Sequence, residues 1–537
     1  MTTAASLGTY DYIIVGGGTA GCLLANRLSE DPQLSVLLLE AGGRDDYFWI
    51  HVPIGYLYCM NNPRTDWCFK TEVEPRLGNR AINYARGKVL GGCSSINGMI
   101  YMRGQARDYD HWRQLGNAGW AWDDVLPYFK RHEDFAHGAD DLHGAGGEWR
   151  IEEQRLHWPI LDAFRDAAVA VGIPAIKDFN RGNNEGIGYF QVNQRRGVRV
   201  SAAKAFLRPA QRRPNLRIVV QAQAKRLLLQ GRRAAGVELS IAGRDARAEA
   251  RGEVILAAGA VGSPHLLELS GIGQGERLRA LGIDVIGELP GVGENLQDHL
   301  QVRLVYKIAN ARTLNQVAAT FRGKAGIALE YLLRRSGPMS MAPSQLGAFA
   351  KSDPSLETPD LQYHVQPLSL DRFGEPLHAF PAITASVCNL RPESRGSIHA
   401  ATPGFDRPPS IRPNYLATAR DRQVASEAIR LTRRIVAAAP MQPYQPEEFR
   451  PGAALQSDDD LARAAGAIGT TIFHPVGTAR MGRDAGAVVD ERLRVHGIER
   501  LRVVDASVMP TITSGNTNAP ALMIAEKGAA MLREDRP

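Results

Sequence analysis

The sequence predicts an α/β fold in which a parallel-sheet domain is interrupted by an inserted α+β domain built on an antiparallel sheet. Three observations carry this. A strand, glycine turn, helix and strand open the chain: residues 12–15, then Gly16-Gly-Gly-Thr-Ala-Gly21, then 22–28, then 35–39 ending at Glu40. Largely apolar runs with the texture of strands buried on both faces return at 253–258 and 501–504. Between 301 and 464 the texture changes. Strand-like runs at 302–308, 361–367, 380–390 and 397–400 stand among helical patterns at 317–334 and 421–438. Strands grouped in this way suit an antiparallel sheet with helices on one side.

The opening unit fits the G-x-G-x-x-G pattern of a Rossmann-like dinucleotide site. Gly16 allows the tight turn, Gly18 lets backbone approach a phosphate, and Gly21 lets the helix pack on the strand. The pyrophosphate then rests on a helix N-terminus. Glu40 lies 19 residues past Gly21, near the spacing at which a carboxylate meets a ribose hydroxyl. A glycine turn alone is a weak signal; the flanking strand, helix and acid make it specific. The unit does not separate FAD from NAD.

The textures divide the chain. The nucleotide domain takes 8–158, 201–300 and 465–537, and the inserted substrate domain takes 159–200 and 301–464. Residues 44–98 form an excursion expected to cover the site. Its end, from Gly87 to Gly98, is dense in small residues, which lets backbone run against something flat or charged. Helical patterns follow at 108–115, 122–133 and 159–171. Residues 215–240 read as a β-hairpin, with runs at 216–220 and 225–229 before Gly231. Ser263 caps a helix that carries Pro264 in its first turn.

Composition narrows the function. A chain of 537 residues exceeds one ordinary core. It has no apolar run of ~18 residues, and residues 1–9 lack the features of a secretory leader. The expectation is a cytoplasmic protein. The net charge is +7, but the arginines are scattered as pairs, such as Arg195-Arg196 and Arg334-Arg335, with acids between them. This excludes a nucleic-acid interface and leaves weak peripheral attraction to the anionic inner face of a membrane. Five cysteines without a C-x-x-C pair read as reduced thiols. His132, His137 and His143 fit no metal-ligand spacing.

Four stretches, in chain order, resemble the glucose-methanol-choline (GMC) flavoprotein oxidoreductases. They are the unit ending at Glu40, Gly87-Lys-Val-Leu-Gly-Gly-Cys-Ser-Ser-Ile-Asn97, the segment from Gly259 to Gly273, and Phe473-His-Pro-Val-Gly-Thr-Ala-Arg-Met-Gly482. The fourth continues into Val504-Asp-Ala-Ser507 and Gly515-Asn-Thr-Asn518. The resemblance implies FAD. It places Thr19 and Ala20 at the pyrophosphate, Glu40 and Ala41 at the adenosine ribose, and Ala224 by the adenine. Gly91, Gly92, Asn97, Gly98, Met99 and Ile100 would run along the flavin. Asp505, Ala506, Thr517 and Asn518 would close over it.

The resemblance also assigns chemistry. His474 is the candidate base, since an alcohol must lose its O–H proton as hydride leaves the same carbon for flavin N5. Asn518 is its expected partner, able to donate a hydrogen bond to the alkoxide but not to take the proton. His364 shares an alternating strand face with Gln362 and Gln366 and is expected in the substrate pocket. Gln345 stands where the choline-oxidising branch has a Glu, which argues for a neutral alcohol. Ile96 replaces the His that attaches flavin covalently in some members, so FAD is expected to be non-covalent. Cys93 stands where the family usually has Gly, Ser or Thr; it is small enough to fit and reads as packing.

The expected activity is oxidation of a primary alcohol to an aldehyde, with electrons passed to an external acceptor: quinone, dye or O₂. The rivals are an alcohol oxidase, a choline dehydrogenase, a hydroxynitrile lyase using flavin as scaffold, and an FAD-binding interaction protein. The last leaves His474 and its asparagine unexplained. No residue pattern sets an oligomeric state.

Overall fold

The computed structural model describes residues 5–372 and 375–536; residues 1–4, part of the stretch read for a leader, lie outside them. Two seven-stranded sheets organise the chain. In the first, Ala5–Val15 runs parallel to Arg244–Leu256 on one side and Val36–Leu39 on the other. Leu501–Val503 joins in parallel at Val254–Leu256. Ile13, Ile14, Leu37, Leu38, Ile255 and Leu256 are wholly buried, which explains why these strands read as largely apolar runs.

The expected hairpin is displaced. Leu216–Val219 pairs in parallel with Val36–Leu39. The hairpin is instead Ala222–Gln230 with Arg233–Ile241. The chain breaks at Gln221, whose φ of +53° turns it out of the first strand. A β-branched run records that a strand forms, not which strand it pairs with.

The second sheet is antiparallel. Its order is Glu447–Arg450, Leu300–Lys307, Ala382–Asn389, Leu361–Gln366, Leu346–Ala350 and Gly186–Tyr189. Gly469–Thr471 also pairs with Leu300–Val302. One face is apolar, with Leu304, Tyr306, Tyr363 and Val365 packed against residues of the helices Pro159–Ala170 and Ala419–Ala437. The alternate residues, Gln301, Gln362, His364, Gln366, Thr384 and Ser386, form a buried polar face. The helix expected at 317–334 is two: Leu314–Val317, and Phe321–Arg334 capped by the Thr320 hydroxyl, which accepts from Gly323 N–H. Among the described residues no helix is long and apolar enough to cross a membrane.

The first helix, Thr19–Leu28, packs on the C-terminal helix, Asn518–Glu534. Arg27 closes the contact. Its guanidinium donates to Glu526 and to Glu148, each at 2.6 Å. Glu526 is fully buried, so removing Arg27 leaves a desolvated carboxylate with only the longer cation contact to Arg131 at 3.6 Å. We expect Arg27→Ala to cost about 3–5 kcal/mol, read as a lower thermal midpoint, and Glu526→Gln in that background to recover part of the loss. An unchanged midpoint in Arg27→Ala would show that the network contributes little.

Candidate active site

A cavity of about 560 Å³ lies between the carboxyl edge of the first sheet and the polar face of the second. The glycine unit builds one end. Gly16 has φ +109°, and a Cβ there would stand 2.5 Å from Ala257 O. A Cβ at Gly92, with φ +53°, would fall 2.6 Å from Gly18 Cα, so two loops meet here at backbone distance. Gly21 packs directly on Gly16 O, as the helix–strand contact requires. Gly91, at φ +88°, shapes the loop without lining the cavity. Thr19, Ala20, Gly18 and Gly92 line it.

The nucleotide end is polar and pre-formed. Glu40 Oε2 accepts from Gly17 N–H at 2.8 Å and Oε1 from Gly42 N–H at 2.7 Å. Burial raises its pKa to about 7, against those two amides and Lys88. Ala41 and Ala224 line the same end. Asn97, Gly98, Met99 and Ile100 line the middle of the cavity, where Asn97 Oδ1 accepts from Met99 N–H and from buried Arg199. Asp505 and Ala506 reach the lining, but both Asp505 oxygens are taken, by Gly259 N–H, Ser263 and Ser507.

Asn518 does not meet His474. It begins the C-terminal helix after Thr517, and its Oδ1 accepts from Thr19 Oγ1 at 2.9 Å. Its Nδ2 is a buried donor without a partner, in a residue of the cavity lining. The residue against His474 is Asn516, with Nδ2 3.1 Å from His474 Nε2. Residues two apart in an extended stretch point differently from residues at a helix start, so the correction is one of backbone direction.

His474 follows Phe473, which adopts φ +67°, a strained conformation for a bulky residue. Three bonds hold it there. Thr471 Oγ1 accepts from Phe473 N–H, Arg86 donates to Phe473 O, and Asp298 Oδ1 accepts from His474 N–H. Asp298 also accepts from Thr471 Oγ1 and Tyr415 Oη. Neither Asp298 nor its neighbour His299 stood out in the sequence. An acid–histidine pair before a strand carries no distinctive spacing.

His299 determines the protonation of His474. Its Nε2 lies 3.2 Å from Leu390 O, which only accepts, so Nε2 carries the proton. Burial lowers the His299 pKa to about 4 and keeps the ring neutral. Its Nδ1 is then an acceptor, 3.0 Å from His474 Nδ1, which must carry the hydrogen. His474 Nε2 is left with a lone pair. The opposite side agrees: Gln362 Nε2 donates to Asn516 Oδ1 at 3.1 Å, turning the Asn516 amide N–H groups toward His474 Nε2. The His474 pKa lies well below the ordinary imidazole value, by burial first and then by His299 and His364.

His364 lines the cavity with its Nε2 unpartnered, and burial lowers its pKa to about 3. Gln345 does not line it. Its Nε2 donates to Ala342 O at 2.6 Å, and the adjacent Ser344 takes the pocket position. Sequence reasoning also missed Gln301 and His265, which line the cavity.

A dinucleotide fits this cavity: a glycine cradle at the first helix, the buried carboxylate of Glu40 beside it, an orphaned Asn518 donor and a lining that runs on to His474. Two family models described as GMC oxidoreductase match the chain, the N-terminal one over residues 10–301 and the C-terminal one over 392–525. An alcohol dehydrogenase (acceptor) of Pseudomonas putida is 41% identical over 97% of this chain and 95% of its own. A mitochondrial choline dehydrogenase of Homo sapiens is 40% identical over 98% of this chain and 90% of its own. Among solved structures, pyridoxine 4-oxidase from Mesorbium loti superposes with a TM-score of 0.89 at 32% identity, covering 98% of this chain and all of that one. A variant of the formate oxidase of Aspergillus oryzae does so at 0.92 and 29%, covering 100% and 99%. With both halves of the family pattern matched and the glycine cradle and His474 in one cavity, the chain belongs to the GMC oxidoreductase family.

Proposed function

We propose that this FAD-dependent oxidoreductase acts on a neutral primary alcohol, giving the aldehyde, with His474 as the base. The observation that carries this is the His474 Nε2 lone pair, which accepts from Asn516 Nδ2 at 3.1 Å in the cavity wall. An alcohol hydroxyl that displaces this contact donates to Nε2 and accepts from Asn516 Nδ2, so the oxygen is held while its proton leaves. FAD, when bound, supplies the hydride-accepting chemistry. Thr19, Asn518 and Glu40 hold its nucleotide half; Asn97 to Ile100 and Ala506 flank the rest. His299 is a positioning residue, since it keeps the His474 hydrogen on Nδ1. Electrons pass to an external acceptor. The family resemblance supports FAD; Ile96 at the attachment position supports a non-covalent complex.

The preference for a neutral alcohol rests on the cavity, not on Gln345. Glu40 and Asp505 are engaged by protein donors, and Asp406 adjoins Phe405, whose carbonyl is held by Gln223 next to Ala224. The other charges in the lining are the cations Arg86, Lys88 and Arg407. Lys88 Nζ already sits 4.4 Å from the Trp67 ring centroid, on an aromatic face that a quaternary ammonium would use.

Three outcomes follow. His474→Ala should retain FAD and lose ~10²–10⁴ in the rate of anaerobic flavin reduction. His299→Leu, which frees the ring to adopt the wrong tautomer, should lose between ~10- and ~10⁴-fold, and His299→Gln, which restores an acceptor, should recover much of it. Because the His474 pKa is lowered, the wild-type rate should be level from pH 6.5 upward and fall only in more acid solution, where Nε2 gains a proton. Stopped-flow reduction across pH checks all of these; a near-normal His474→Ala rate would end the assignment.

Acid precipitation of the holoprotein should leave yellow supernatant and a colourless pellet. Flavin retained in the pellet would show a covalent link.

Choline should be a poorer substrate than benzyl alcohol or a medium-chain 1-alkanol, because its cation loses water without gaining an opposing charge. The kcat/KM values decide it, and choline equal to the neutral alcohols would overturn the cavity argument.

A further inference from the structure

The helix Phe321–Arg334 is turned inside out relative to an ordinary surface helix. Phe321 is 87% exposed, Leu329 57%, Leu332 68% and Leu333 73%. These are four of the nine large apolar side chains so exposed among the described residues. At 3.6 residues per turn, Phe321, Ala325, Leu329 and Leu332 share one face, and Leu333 extends it. The opposite side holds the protein. Tyr331 is buried and donates to Gly197 O at 3.0 Å, and Ile327 packs on the second core. Arg155 fixes the C-terminus by donating to the carbonyls of Arg334 and Arg335. The exposed apolar face is therefore held firmly toward solvent.

Its surroundings carry one sign of charge. Arg312, Arg322, Lys324, Arg334 and Arg335 are all exposed. Among the described residues none of the five forms an ion pair with a carboxylate. The helix has one acid, Glu330, which accepts from Ser336 Oγ. Phe and Leu on one face with flanking Lys and Arg is the pattern of a helix lying in the plane of an anionic bilayer surface. A second copy of the chain suits it poorly, since a two-fold contact would set five cations against five. Past Arg335 the chain passes through Pro338–Ser340 to Pro343 and Ser344, both in the cavity wall. The docking face and the substrate cavity are thus joined by a short stretch of backbone.

We propose that Phe321–Arg334 is a membrane-docking helix that seats the enzyme peripherally on anionic lipid, next to lipid-dissolved alcohol or acceptor. The test uses the full-length holoprotein and sedimentation with vesicles of phosphatidylcholine alone or mixed with phosphatidylglycerol. Wild type should bind the mixed vesicles and release at high salt. Leu329→Glu/Leu332→Glu should abolish binding. Arg322→Gln/Lys324→Gln should weaken it ~20–30-fold, each cation near an anionic surface being worth about fivefold. Dye-coupled turnover of a water-soluble alcohol should be unchanged in both variants, which shows that they fold. Two results would overturn the proposal: vesicle binding indifferent to these substitutions or to phosphatidylglycerol, or a vesicle-free dimer that Leu329→Glu/Leu332→Glu converts to monomer.

Discussion

The site depends on a buried carboxylate. Asp298 ends the segment that leaves the first domain, just before Leu300–Lys307 enters the second sheet. It is 4% exposed, and among the described residues no cation pairs with it. Burial raises its pKa, while Thr471, Tyr415, the more distant Arg86 cation and the His474 amide pull against that rise. A carboxylate in such a place is tolerated because three donors replace its water. Those same donors fix the turn that carries His474, whose preceding residue is held in a left-handed conformation. One set of hydrogen bonds offsets both the strain of that turn and the cost of burying Asp298.

From there the chemistry is set by neutrality. Burial lowers the basicity of His299, His364 and His474; His299 adds to the lowering at His364, and both of them add to it at His474. Neutral rings in contact must agree on where each hydrogen sits. The Leu390 carbonyl settles the first ring, and the second follows. Asn516, oriented by Gln362, imposes the same answer from the other side. In its proposed role as base, a ring fixed in this way meets an alcohol with no reorganisation of its own hydrogen.

The two sheets contribute differently. The parallel sheet brings Gly16, Glu40, Gly259 and Asp505 to one carboxyl edge, the place where such sheets bind ligands. The antiparallel sheet turns an apolar face to its helices and a polar one to the cavity. Its buried polar atoms include the unpartnered His364 Nε2, Gln362 Oε1 and Ser386 Oγ. Groups of this kind are costly when they stay unpaired, so this wall is suited to water or to a ligand with hydrogen-bonding groups. The outward-facing helix Phe321–Arg334 shows the opposite imbalance, apolar surface without cover.

The sequence by itself determined the parallel strands, the glycine cradle and the antiparallel texture of 301–464, while His474 stood out only through the family resemblance. These are local: a buried strand is mostly apolar, and a phosphate turn needs glycine at fixed offsets. Tertiary structure decided what depends on direction and on partners distant in the chain. It chose Asn516 over Asn518, because a helix begins between them and turns the second toward Thr19. It removed Gln345 from the pocket and put Ser344 there, because the two point to opposite sides at the start of a strand. It paired Leu216–Val219 with Val36–Leu39, which no run of apolar residues specifies. It also supplied Asp298 and His299, 175 residues from His474 in the latter case. Their identity in the chain is ordinary; only the fold sets one against the backbone and the other against the ring of His474.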